Sequence, residues 1–397
     1  MNKVRYDFDE IVDRKNTCST KWDRTDAFFA KQNLLPMWIA DMDFRSPRPI
    51  IEAIIQRANH GVFGYTFLSN TYYEAVINWF QRRHGWTIDK SWIFSDPGVL
   101  TAISFAIQSF SEPRDRIIVQ NPVYTPFYSI IKNNECKKLL NPLKLSNGRY
   151  TMNIGDLKAK AKDPRAKFII LCNPHNPTGR VWTKEELIAV GEICLDNHII
   201  VISDDIHCDL VYPEFQYTPF ASISEEFARN SITCTAPTKT FNIPSLKVAN
   251  TIIPNPKWRT TYSKIRQRHH LTNQNVFASA VLEAAYNKCE DWLEELISYI
   301  KENLEFLKNF IAENLPKVKI IDPEGTYLVW LDFRNLGITT KELTKILFIE
   351  AKVALWEGPL FGKGGKGFER INIACPRGIL EEGLKRIAKA VKNHSER

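Results

Sequence analysis

Between residues 117 and 253 the chain places five short runs of apolar, mostly β-branched residues that do not alternate with polar ones: IIVQ (117–120), FIILC (168–172), IIVIS (199–203), SITCT (231–235) and ANTII (249–253). A strand with one wet face alternates in polarity, whereas a strand covered on both faces does not. Such runs call for helices on both sides of a sheet, and the intervening segments carry helical patterns. In TKEELIAVGEICLDNH, Thr183 and Glu186 have the spacing of a capping box, and apolar residues recur at helical intervals. Repeated strand, helix, strand predicts an α/β fold, with a large domain built on a mostly parallel sheet flanked by helices.

The two ends read differently. SPRPIIEAIIQRANHG predicts a helix stopped near Gly61, and another helix is expected after the turn SDPG at 95–98. Beyond about residue 285 come a long helical pattern, the strand-like GTYLVWLDF, a helix near TTKELTKILFIEA, a strand at RINIA and a final helix. These predict a smaller α+β domain over 286–397, beside a large domain over 46–285 and an N-terminal segment over 1–45 that joins the small domain.

A chain of 397 residues, 44% hydrophobic and 25% charged, can bury large cores and is not expected to be disordered. Its net charge of +8 comes from 53 Lys and Arg dispersed among 45 Asp and Glu. The densest basic cluster, Arg266, Arg268, His269 and His270, is too short for a nucleic-acid surface. With no signal-like start and no apolar run of membrane-spanning length, a cytoplasmic protein with no membrane partner is expected. Eight cysteines without a C-x-x-C pair suit buried thiols in a reducing compartment, and no metal site is expected.

The residues just past each central run are more informative. IIVQ leads into NPVY, FIILC into NPHNPTG, IIVIS into DDIH and SITCT into APTK. Carboxyl ends of parallel strands share one sheet edge, so Tyr124, Asn176, Asp204 and Lys239 should meet there. The glycines of FGKGGKG (361–367) match G-x-G-x-x-G but precede a strand rather than a helix, so a dinucleotide loop is excluded and a flexible loop expected. An amine, a carboxylate, an amide and an aromatic ring together suit pyridoxal 5'-phosphate. Its aldehyde takes a lysine, its ring nitrogen a carboxylate, and its ring face an aromatic side chain. For the phosphate, DPGVLTAIS (96–104) offers a helix start, Thr238 a hydroxyl and Lys247 a cation.

NPHNPTG, SDDIHCDL, APTKTFN and RINIACPR, with MWIADMDF near the start and GYTF at 64–67, resemble fold type I pyridoxal-phosphate enzymes of the aminotransferase class I/II superfamily. The chain is most similar there to the cystathionine β-lyases, or cysteine C–S lyases, including the maltose-regulon modulator type. The resemblance implies Lys239 as the covalent lysine and catalytic base, Asp204 as the partner of the ring nitrogen, and Asn176 as a donor to the ring oxygen. His207 stands where many aminotransferases place a tyrosine with that same task. Tyr124 would stack on the ring, while Val99 and Leu100 would offer backbone N–H groups to the phosphate. Thr235 or Thr238 would supply the hydroxyl that Ala236 lacks, and Lys247 a single cation where relatives carry arginine. Tyr65 would reach the neighbouring subunit's site, implying a homodimer. Arg377 of ACPR would clamp the substrate carboxylate, with Ile39 and Ala40 closing on it. The implied activity is β-elimination from sulfur amino acids, giving pyruvate, ammonia and a thiol; the same residues would serve an aminotransferase, and a regulatory protein retaining the cofactor is a third reading.

Overall fold

The computed structural model describes residues 6–29, 31, 33–271 and 275–396, so the first five residues of the N-terminal segment lie outside the described ones. Among the described residues seven strands form the central sheet. Their spatial order is Ile93–Asp96, Ala249–Ile252, Ser231–Thr235, Ile200–Asp204, Ala166–Cys172, Arg116–Val119 and Lys137–Leu140. The pairs from Ser231–Thr235 outward are parallel. Only Ala249–Ile252 is reversed, antiparallel to both neighbours. The reason is its connection: residues 236–248 make only the short turns Pro237–Thr240 and Pro244–Leu246 and never cross back over a sheet face, as a parallel return must. Two strands carried no clear signal. Ile93–Asp96 merges into the SDPG turn, and Lys137–Leu140 is a lysine-bearing edge strand with half its residues exposed.

Helix Lys184–Asp196 begins on the expected capping box, with the Thr183 hydroxyl accepting from Glu186 N at 3.2 Å and Thr183 N donating to Glu186 Oε2 at 3.0 Å. The helix behind the sheet edge, Val99–Phe110, buries Val99, Ala102, Ile103, Phe105, Ala106 and Ile107. That stripe packs on Ile117, Val119, Ile170, Ile202 and Cys234 of the strands. Each fully buried aliphatic side chain stabilises by roughly 1.5–3 kcal/mol, so the orientation of this helix, and of its N-terminus, is firmly set.

A second, antiparallel sheet of the described residues comprises Lys319–Ile321, Leu328–Asp332, Phe368–Asn372 and Trp356–Glu357. It packs against the 25-residue helix Glu290–Asn314 and the final helix Arg377–Ser395. The segment MWIADMDF runs alongside. Leu35–Pro36 pairs in parallel with Val353–Ala354, and Asn372 donates through Nδ2 to the carbonyls of Ile39 and Asp41, both at 2.6 Å. Behind it Lys21, only 1% exposed, binds Asp43 at 2.7 Å, and Arg14 grips both Asp41 and Asp43. No helix among the described residues is long and apolar enough to cross a membrane.

The turn NPTG meets the start of the second sheet at a tight contact. Gly179 has φ of +70°, and a Cβ there would lie 2.4 Å from Pro323 Cβ. Its carbonyl accepts from Glu324 N at 2.8 Å and Gly325 N at 3.1 Å. Gly179→Ala is expected to destabilise the protein by roughly 2–4 kcal/mol through backbone strain and overpacking, read as a lowered urea midpoint.

Candidate active site

The carboxyl ends of the central strands open into a cavity of about 210 Å³. Tyr124, Asn176, Asp204 and Lys239 all line it, as the strand-end pattern requires. Register explains the convergence, because Cys172 pairs with Asp204 and Asp204 with Cys234, bringing the ends of three strands to one level.

Lys239 lies in the short helix Pro237–Thr240, and its Nζ donates to Ala40 O at 2.6 Å. Burial pulls its amine down to about 8; nearby Arg370 and Lys247 push the same way, while Asp41 and Asp204 oppose them. Asp204 is driven by burial up to about 7, with Asp205 adding to the rise and Ile206 N and Lys239 counteracting it. Such a carboxyl is stabilised in its charged form by any cation brought against it. Burial, with the charges of Lys239 and Arg370, holds His207 down at about 3, so its ring is neutral. Its Nδ1 has no hydrogen-bond partner among the described residues.

The opposite wall is the N-terminus of Val99–Phe110. Gly98, Val99, Leu100 and Thr101 line the cavity there, and the first intrahelical backbone bond of this helix is Ala102 N to Gly98 O. The N–H groups before it are the free donors of a helix start. Thr238 and Lys247 line the same cavity. Backbone dipoles of a helix start together with a lysine are suited to hold an anion.

Several expected residues stand elsewhere. Arg377 does not line the cavity. Its Nε donates to Asn303 Oδ1 at 2.6 Å and its guanidinium lies 4.9 Å from the centre of the Phe306 ring, so it belongs to the contact with the long helix. The physical reason is that Arg377 comes after the strand Phe368–Asn372 has ended, as the first residue of the final helix. The arginine that bonds a cavity-lining residue is Arg370, within that strand. It is 3% exposed, donates through Nη1 to Asn176 Oδ1 at 2.9 Å and through Nη2 to Trp38 O at 2.8 Å, and its Nε has no partner among the described residues. Burial pulls its pKa down to about 10, so it remains charged at neutral pH. A signal for it was available, since an arginine inside an apolar strand-like run is rarely buried without a task.

Thr235 also stands off the cavity, its hydroxyl 3.7 Å from Cys208 Sγ, so that of the two threonines Thr238 is the one that lines it. Ile39 contributes a carbonyl to Asn372 and does not line the cavity, whereas Ala40 does. Tyr65 is 97% exposed and outside the cavity, beside exposed Val62, Phe63 and Phe67. Sequence reasoning missed Tyr327, whose hydroxyl donates to the same Ala40 carbonyl at 3.0 Å, and Cys172, which lines the floor.

A lysine amine of lowered pKa, a buried carboxyl and a helix N-terminus around one cavity, at the carboxyl edge of a sheet in this strand order, define the fold type I class of pyridoxal-phosphate enzymes. Within that class the chain belongs to the aminotransferase class I and II family, which it matches over residues 34–387. It is 45% identical to cystathionine beta-lyase PatB of Bacillus subtilis, with 97% of this chain and 99% of that protein aligned. It is 35% identical to protein MalY of Escherichia coli, over 98% and 99% of the two chains. Among solved structures, cystalysin from Treponema denticola, which contains pyridoxal 5'-phosphate, superposes with a TM-score of 0.95 at 38% identity, covering 98% of this chain and all of that one. The PLP-bound C–S lyase from Staphylococcus hominis gives a TM-score of 0.92 at 32% identity, over 98% and 99%.

Proposed function

We propose that the protein is a pyridoxal 5'-phosphate-dependent carbon–sulfur lyase that eliminates the β-substituent of sulfur amino acids, releasing a thiol, pyruvate and ammonia. The observation that carries this reading is the pairing of Lys239 and Asp204 within one cavity, in a chain whose relatives carry lyase names. The residues fit the cofactor. Asp204 would face the ring nitrogen, Tyr124 the ring, and the N–H groups of Val99 and Leu100, with Thr238 and Lys247, the phosphate. Asn176 turns its Oδ1 to Arg370, so its Nδ2 is left to donate to the ring oxygen, and His207 adds an unpartnered ring nitrogen on the same side.

When bound, pyridoxal 5'-phosphate supplies a carbonyl for the substrate amine and a ring that accepts the electron pair released at Cα. The protein does the rest. Arg370 presents its planar fork to the α-carboxylate, and its contacts with Asn176 and Trp38 O preset its orientation. Lys239, with a pKa near 8, is unprotonated in a useful fraction at neutral pH and takes the proton from Cα. The Ala40 carbonyl, which it already contacts, steadies the amine. Departure of the β-thiolate, followed by hydrolysis, completes the elimination.

The exposed apolar run bears on assembly. Val62, Phe63, Tyr65 and Phe67 together form a surface that a second copy would cover, and we place Tyr65 at the neighbouring site in a homodimer. Seven of the eight cysteines are buried and all eight are unpaired, which suits a reducing, cytoplasmic compartment.

Purified enzyme given L-cystathionine, with no keto acid added, is expected to form pyruvate and thiol in equal amounts. Turnover that depends on an added keto acid and yields no pyruvate would reject elimination in favour of transamination.

A further inference from the structure

The stretch SDDIHCD (203–209) carries two buried carboxylates that the elimination chemistry leaves unused. Asp204, Ile206 and His207 line the cavity; Asp205, Cys208 and Asp209 do not. Asp205 is satisfied by Ser203 Oγ and Tyr217 OH, each at 2.6 Å. Asp209 does something else. Its Oδ1 accepts from Trp79 Nε1 at 3.0 Å and from His84 Nε2 at 2.9 Å, and its Oδ2 accepts from Thr240 Oγ1 at 2.8 Å.

Those three donors come from two places. Trp79 and His84 lie on helix Asn70–His84, whereas Thr240 follows Lys239 directly in a helix of only four residues. One helical turn has almost no stability of its own, so its placement must come from outside. Asp209 lies in the turn that directly follows Asp204, the last residue of its strand, and Lys239 and Thr240 share one short helix. The bond between Asp209 and Thr240 therefore spans the same two elements that carry the carboxyl and the amine of the active site. Both partners are buried, Thr240 completely, so water does not compete for the contact. Burial favours the neutral carboxyl, but His84, Arg83 and Thr240 hold the Asp209 pKa below the usual carboxylate range. The acceptor is charged, and bonds to charged acceptors are the stronger kind. His84, Cys208 and Asp209 also place ligand-type atoms within 4.8 Å of one another. With three donors already on its oxygens, however, the Asp209 carboxylate serves as an anchor rather than a metal ligand.

We propose that Asp209 is a positioning residue: fixed by Trp79 and His84, it holds the Thr240 hydroxyl and so sets where the Lys239 amine stands relative to Asp204. This inference rests on the proposed cofactor chemistry and adds to it a determinant of the lysine's placement.

The test compares Thr240→Val, which keeps the shape and removes the hydroxyl, with Thr240→Ser, which keeps the hydroxyl, and Asp209→Asn. Each holoenzyme is checked for an unchanged thermal midpoint. In Thr240→Val, kcat is expected to fall about 10- to 100-fold while KM stays within about threefold, because Arg370 still holds the substrate carboxylate. Thr240→Ser should remain within about threefold of the wild type, and Asp209→Asn should behave like the valine variant. A second readout is the pH titration of the visible absorbance of the bound cofactor, whose midpoint should move in Thr240→Val and Asp209→Asn but not in Thr240→Ser. A coloured wild type with a folded valine variant unchanged in both kcat and midpoint would overturn the positioning role alone. Equal impairment of the valine and serine variants would overturn it too, by assigning the effect to packing. A colourless wild type would instead overturn the cofactor reading.

Discussion

Lys239→Ala is expected to lower pyruvate formation by about 10⁴-fold or more, since it removes both the covalent attachment and the base for the Cα proton. The variant should also lose the label that borohydride fixes on the wild-type chain. Alanine at this position leaves the surrounding core intact, because the Nζ of Lys239 makes its hydrogen bond to a loop carbonyl, Ala40 O, and the turn is held independently through Thr240. The thermal midpoint should therefore be little changed, which separates lost chemistry from lost structure. Retention of about a tenth of the wild-type rate would show that another group takes the proton, since a positioned base contributes about 10²–10⁴-fold by itself.

The second large effect discriminates between two arginines seven residues apart. Arg370→Lys is expected to reduce kcat/KM about 10²- to 10⁴-fold, chiefly through KM. A lysine cannot make the two-point contact, and each hydrogen bond between charged groups contributes about 1.5–3 kcal/mol. Arg377→Lys should leave kcat/KM within about threefold. Its losses are the contact with Asn303 and the packing over Phe306, which bear on stability rather than on the cavity. Steady-state kinetics with L-cystathionine, with thermal midpoints alongside, checks both. The reverse pattern would return the clamp to the arginine that the ACPR motif suggested.

Much of the site was legible because it depends on local chemistry. Apolar runs without alternation are strands covered on both faces, and polar residues just past their ends must gather at one edge. The gathering of Tyr124, Asn176, Asp204 and Lys239 follows from that rule alone, and a helix start in DPGVLTAIS from the turn before it, whereas the choice of Val99 and Leu100 comes from the family resemblance. The capping box at Thr183 is equally local. Less legible were features set by pairing. The run ANTII reads like its neighbours, yet it lies reversed in the sheet because the connection before it stays at the cavity edge. Lys137–Leu140 is a strand because Arg116–Val119 offers it a partner, although its lysines carry little strand signal.

The amino-acid order by itself determined the class of fold and brought Lys239, Asp204 and the helix start at Val99 to one cavity, since each is placed by a run of neighbouring residues and by the periodicity of strand and helix. Only the tertiary structure decided that Arg370 and not Arg377 bonds a residue of the cavity wall, that Thr238 and not Thr235 lines the cavity, and that Asp209 bonds the hydroxyl next to Lys239. Those outcomes depend on which residues of a strand turn toward the cavity wall, on the register between strands far apart in the chain, and on the three-way meeting of helix Asn70–His84, the turn after Asp204 and Thr240. Such contacts are set by packing, which no local pattern of residues encodes.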